Sequence, residues 1–128
     1  RRLQAGDAVL VFPEGTRSPD GEIHPFQKGF RMLAVRSQAV IVPVAIEGSF
    51  LAWPRWRRLP RPGRVHVHFG PPFFPRDYLG LPEELFLEAV QARVENCQAE
   101  IRSRPEMQER LQKQRLLVAA RGNSSGGN

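Results

Sequence analysis

The sequence predicts an α/β fold, a mixed, mostly parallel sheet flanked by helices. Three observations carry this. Two short apolar runs, AVLVF at 8–12 and VIVPVAI at 40–46, read as buried strands. Between them, Phe30, Leu33 and Ala34 repeat at helical spacing within 27–38. A second, longer helical pattern follows at 81–102. Strand, helix and parallel-type strand make a βαβ unit, whose crossover is right-handed.

Taken in order, residues 1–4 suit a last helical turn, stopped by Gly6 at a left-handed cap. Residues 8–12 are apolar throughout, as an interior parallel strand requires. Pro13 ends that run. Pro19-Asp20-Gly21 is a turn: Pro presets φ, Asp bonds its own backbone and Gly takes positive φ. His24 reads as a solvated loop histidine. Helix 27–38 carries Lys28 and Arg31 in its first turn, where cations oppose the helix dipole unless an anion lies near. In the strand at 40–46, Pro43 lacks a donor and forces an edge, a bulge or a break.

Residues 49–63 interleave Phe50, Leu51, Trp53 and Trp56 with Arg55, Arg57, Arg58 and Arg61, and three prolines oppose regular structure. Such a mixture suits an anionic membrane interface, a long loop whose tryptophans pack on the core, or nucleic acid. Residues 64–69, RVHVHF, alternate strictly and predict a half-buried strand, with His66 and His68 facing solvent. Two histidines without a third ligand do not make a metal site. Pro82, Glu83 and Glu84 open the long helix, and Phe86, Val90, Val94, Cys97 and Ile101 form its buried stripe. Cys97 therefore belongs to the core. Residues 106–118 suit a further, mostly polar helix, and 121–128 a flexible tail.

At 128 residues the chain is at most one domain, and 41% hydrophobic with 25% charged residues is ordinary globular composition. Nineteen Lys and Arg against 13 Asp and Glu favour anionic partners. The single cysteine, Cys97, forms no internal disulfide. No stretch of 18 apolar residues spans a membrane. Neither a P-loop nor a serine elbow occurs.

The densest chemistry lies just after the first apolar run. Glu14, Gly15, Thr16 and Arg17 place a carboxylate, a glycine, a hydroxyl and a guanidinium in succession. Arg17 offers a planar fork to anionic oxygens. Thr16 adds a hydroxyl, and Gly15 allows close backbone approach. Glu14 can orient Arg17 or accept from polyol hydroxyls. Lys28 is a candidate second cation. An ordinary loop with a surface Glu–Arg pair is the plain alternative.

The string FPEGTRS, followed by Pro19-Asp20-Gly21, Pro25-Phe26, Lys28-Gly29 and Val42-Pro43-Val44-Ala45-Ile46, resembles the glycerolipid acyltransferases. These are the lysophosphatidic-acid and glycerol-3-phosphate acyltransferases of the PlsC-like family. The likeness covers 3–46 well and 64–72 loosely. It implies a partial glycerol-3-phosphate-acyltransferase-like fold over 1–104, a helical extension at 105–120 and the tail. It implies that Glu14, Gly15, Thr16 and Arg17 bind the acceptor. The donor would be an acyl thioester of coenzyme A or acyl carrier protein, the acceptor a lysophospholipid or glycerol phosphate, with no metal and no organic cofactor.

One departure is large. The family's chemistry uses a His and an Asp separated by four residues. Five positions beyond His24, His66 and His68 stand Gly29, Pro71 and Phe73. The chain is therefore expected to be the carboxyl-terminal part of such an enzyme, without its general base and inactive alone. The lack of an initiating Met fits that expectation. Apolar surface should be exposed where the rest would pack. Location at the cytoplasmic face of a membrane, through Trp53, Trp56, Arg55, Arg57 and Arg58, is expected, and no nucleic acid. The rival reading is a non-catalytic module that docks on membrane or a partner through 49–63.

Overall fold

The computed structural model describes residues 1–125. A short 3-10 helix, Leu3–Ala5, closes on Gly6 at φ 93°. Helix α1 is Gly29–Ser37, with Gln38 left-handed at its end. Strand β1, Val44–Glu47, leads into the one-turn helix α2, Ser49–Ala52. Strand β2, His66–Phe69, is followed by α3, Pro75–Tyr78. The long helices α4, Glu83–Arg102, and α5, Pro105–Ser125, complete the order.

The expected mostly parallel sheet is corrected. Among the described residues the sheet has two strands, β1 and β2, paired antiparallel. The apolar run at 8–12 is no strand; Leu10 is 72% exposed and Phe12 65%. A strand needs a neighbour for its N–H and C=O groups, and no described segment forms a ladder with 8–12.

Pro43 marks an irregularity, as its missing N–H requires. The Gly70 N–H donates to the Pro43 carbonyl (2.8 Å), one step beyond the Val44–Phe69 pair. Ile41 and Phe73 then exchange both backbone bonds, at 2.9 and 2.7 Å. The partner strand thus spends one extra residue at Pro71–Pro72, a bulge that reverses its side-chain parity. Pro43, Ala45 and Glu47 are buried on one face; opposite them lie Gly70, His68 and His66, and after the bulge the buried Phe73.

The facing of β2 is also corrected. Val65, Val67 and Phe69 point outward, exposed by about half or more, while His66 and His68 are half-buried on the inner side. Helix α4 decides this. Its apolar stripe covers the face bearing Ala45, which packs with Cys97, Ile101 and Met107.

The main core joins Phe26, Ala34, Phe73, Tyr78, Phe86 and Val90. The Tyr78 hydroxyl is fully enclosed and donates to the Ala39 carbonyl (2.6 Å), with the Ala34 carbonyl at 3.2 Å. It thereby satisfies the Ala39 carbonyl just past α1, while the Ala34 carbonyl also accepts the Gln38 N–H that caps the helix (2.9 Å). The α4 stripe is as expected, with Phe86, Val90, Cys97 and Ile101 buried. Burial and then the Glu100 charge push the Cys97 thiol up, consistent with a core residue. Helix α5 buries Met107, Leu111 and Gln114 along one side. It runs to Ser125, past the expected start of a tail at 121; the tail's last three residues lie outside the described residues.

Candidate anion site on the loop after residue 12

The loop is built by local bonds. The Gly15 N–H donates to the Phe12 carbonyl (3.0 Å), and Gly15 takes φ 75°. Only glycine enters that region freely, and a Cβ there would press on the Gln27 side chain at 3.3 Å. The Gln27 N–H donates to the Pro13 carbonyl at 2.7 Å, and the Gln27 amide reaches the Glu14 carbonyl at 3.4 Å. The Glu14 carboxylate accepts the His24 backbone N–H at 3.0 Å. Glu14 therefore ties the loop to 24–27 and forms no ion pair with Arg17.

Thr16 and Arg17 stand at the open end of this frame, both exposed. The Arg17 guanidinium lies over the Trp53 ring, 5.2 Å from its centroid. Arg55 donates to the Thr16 hydroxyl at 3.1 Å. No ion pair among the described residues uses Arg17 or Arg55. Lys28 is exposed at the N-cap of α1, and its ammonium forms no ion pair with this group. Arg31, the other first-turn cation, instead donates to the Leu81 carbonyl at 3.0 Å and holds α1 to the start of α4.

Local bonds fix the turn at 18–24. The Ser18 hydroxyl donates to the Glu22 carbonyl (2.7 Å) and accepts the Gly21 N–H (2.9 Å). Asp20 Oδ1 accepts the Glu22 N–H and faces His24 Nε2, each at 2.9 Å. His24 is therefore partnered, which corrects the reading of a merely solvated ring. Burial raises the Asp20 carboxyl, but hydrogen bonds from His24, Glu22 and Ser18 outweigh it and leave the group below the usual carboxylate range.

Helices α4 and α5 hold the same turn from behind. Arg102 donates from Nε to Glu47 (2.8 Å), from Nη1 to Glu22 (2.9 Å) and from Nη2 to the Gly21 carbonyl (3.3 Å). The buried Gln114 donates to the Asp20 carbonyl at 3.1 Å. Sequence reading missed both residues. Their separations of 81 and 94 residues from the turn leave no local signal.

The Arg- and Trp-rich segment splits in two. Trp56 packs edge-on against buried Phe50, at 5.5 Å between centroids, and the Arg121 guanidinium lies over its ring, 4.2 Å from the centroid. Trp53 stays 45% exposed, and its indole N–H donates to the Arg57 carbonyl at 3.0 Å. Two concavities exist elsewhere, of about 320 Å³ beside Leu3, Met32 and Leu33, and about 480 Å³ beside His68, Arg93 and Cys97. Neither borders 14–17, where Gly15, Thr16 and Arg17 are exposed and Glu14 is half-buried. Among the described residues, no group of three His, Cys, Asp or Glu converges as a metal site. No helix there is long and apolar enough to cross a membrane.

Residues 1–47 match the model of the family described as Acyltransferase. The chain is similar to a 1-acyl-sn-glycerol-3-phosphate acyltransferase of Limnanthes alba, 42% identical over 71 residues, which are 56% of this chain and 25% of that protein. It is similar to the enzyme so named from Pseudomonas aeruginosa, 38% identical over 54% of this chain and 26% of the other. Among solved structures, the 1-acyl-sn-glycerophosphate acyltransferase PlsC of Thermotoga maritima is 34% identical, with a TM-score of 0.62, over 73% of this chain and 38% of that one. The chain thus spans about a quarter of the curated relatives it matches. In fold and in the loop's sequence the chain is similar to acyltransferases of the PlsC type. The similar proteins of that type are those named 1-acyl-sn-glycerol-3-phosphate acyltransferase.

Proposed function

We propose that this chain supplies the acceptor-phosphate side of a glycerolipid acyltransferase in phospholipid synthesis. The reaction moves a fatty acyl group from coenzyme A or acyl carrier protein to a hydroxyl of a lysophospholipid or glycerol phosphate. The carrying observation is Arg17, an exposed guanidinium beside the Thr16 hydroxyl with no carboxylate partner. A guanidinium fork and a hydroxyl suit a phosphate's oxygens. Glu14 and Gly15 hold the loop that presents them, and Lys28 adds a second positive charge nearby in sequence.

The general base is assigned to no residue of this chain, because no His and Asp stand at the family's spacing. The work here is positioning the acceptor, with neither metal nor organic cofactor. The exposed Trp53, Arg58 and Leu59, beside Arg55 and Arg57, suit contact with anionic lipid at a cytoplasmic membrane face; Trp56, packed on Phe50, supports that rim from below.

The test is equilibrium binding of short-chain lysophosphatidate and of the matching monoacylglycerol. The native chain should prefer the phosphorylated ligand, and Arg17→Ala should weaken it about tenfold or more, as for other charged hydrogen bonds. Equal binding of both ligands, or an unaltered Arg17→Ala, would overturn the reading.

A further inference from the structure

The loop at 49–63 brings a second cation to the same place. Arg55 is anchored, not trailing. Trp56 beside it packs on Phe50, Pro54 before it is buried, and the Trp53 indole closes the turn on Arg57. The Arg61 N–H closes the base of the loop on the Ala52 carbonyl at 2.6 Å. From this frame Arg55 reaches Thr16, while Trp53 lies against Arg17. The contacts are reciprocal: neighbours 16 and 17 meet residues 55 and 53.

Two guanidinium groups at adjoining side chains repel, and no carboxylate offsets them. An anion between them would. A phosphomonoester presents three terminal oxygens and about two negative charges, enough for two forks and a hydroxyl. A phosphodiester presents two free oxygens and one charge.

We propose that Arg55 is a second phosphate-binding residue, which with Thr16 and Arg17 selects phosphomonoesters over phosphodiesters. Trp53 is the positioning residue, a platform that holds Arg17 in reach by a cation–π contact. The inference rests on the acceptor-phosphate reading of Arg17 but adds a residue outside the matched family block.

The experiment titrates the full 128-residue chain with glycerol 3-phosphate, inorganic phosphate and glycerophosphocholine, following arginine Nε–H signals by NMR. Arg55→Ala should weaken glycerol 3-phosphate about tenfold or more, erase the preference over the diester, and be partly rescued by Arg55→Lys. A parallel loss for inorganic phosphate would show that the phosphate group itself is read; a loss confined to glycerol 3-phosphate would show that the ester is. Arg115→Ala, on exposed α5 surface, controls for net charge. Full binding in Arg55→Ala with loss in Arg17→Ala would overturn this proposal alone. Full binding in both would overturn the function above as well. An equal loss in Arg115→Ala would reduce the effect to net charge and also overturn it. Backbone amide spectra confirm that each variant keeps the fold.

Discussion

Arg102 satisfies three partners from two parts of the chain, the turn at 21–22 and Glu47, in a largely buried environment. Its side chain is 16% exposed and that of Glu47 only 4%. Burial alone would lower the guanidinium's pKa, but the bonds and charges of Glu22 and Glu47 outweigh it and hold the charge on. Removing one member of such a pair strands the other. Arg102→Met should cost about 3–5 kcal/mol, read from urea unfolding, and Glu47→Gln in the same chain should restore part of it. A loss under about 1 kcal/mol, the scale of a surface pair, would show the pair to be no more than that. At this scale the sequence was partly legible. Gly15, Gly21 and the Asp20 turn declare themselves through φ and side-chain chemistry. Arg102 does not: it reads as an ordinary basic residue at a helix end, favourable to the dipole. Its role depends on where Glu47 and Glu22 come to rest.

Among the elements, α5 departs furthest from its sequence. A mostly polar helix was expected, yet Met107, Leu111 and Gln114 form a buried edge, Met107 packed with Ala45, Cys97 and Ile101 and Gln114 bonded to the Asp20 carbonyl. Gly21 sits at φ 83°, and a Cβ there would collide with the Gln114 amide. Gly21→Ala should therefore destabilise the chain by roughly 1–2 kcal/mol, the cost of a left-handed alanine, and speed hydrogen exchange at 20–22. Unchanged exchange would mean that α5 does not clamp the turn. Helix α4 was legible because its buried stripe recurs regularly in sequence; α1 was placed, but of its expected stripe only Ala34 is buried and Leu33 is 40% exposed. Strand order was not, since pairing joins residues far apart, and periodicity alone cannot say which face is covered. That is why the alternation at 64–69 was seen while its sides were assigned in reverse.

Over the whole molecule, the outer face of the sheet is apolar and open. By register Val44 stands beside Phe69 and Ile46 beside Val67, with Ile46, Val67 and Phe69 each more than 40% exposed. Leu10 and Phe12 add to the exposed apolar surface. Patches of this kind promote association. The chain should bind a hydrophobic dye and self-associate in sedimentation. Val67→Lys with Phe69→Lys should abolish both while leaving helical circular dichroism intact. Persistent association in that variant would place the sticky surface elsewhere. The acyltransferase likeness was legible because it rides on contiguous letters. The meeting of Arg17 with Trp53, and of Thr16 with Arg55, needed the loop at 49–63 to be folded.

The bulge at Pro71–Pro72 decides which way Phe73 faces. Inward and outward positions alternate along any extended segment, so the odd step of three from Gly70 to Phe73 would turn Phe73 toward water if the segment were regularly extended; the bulge is what keeps it in the aromatic cluster. At this corner the kink is itself part of the architecture.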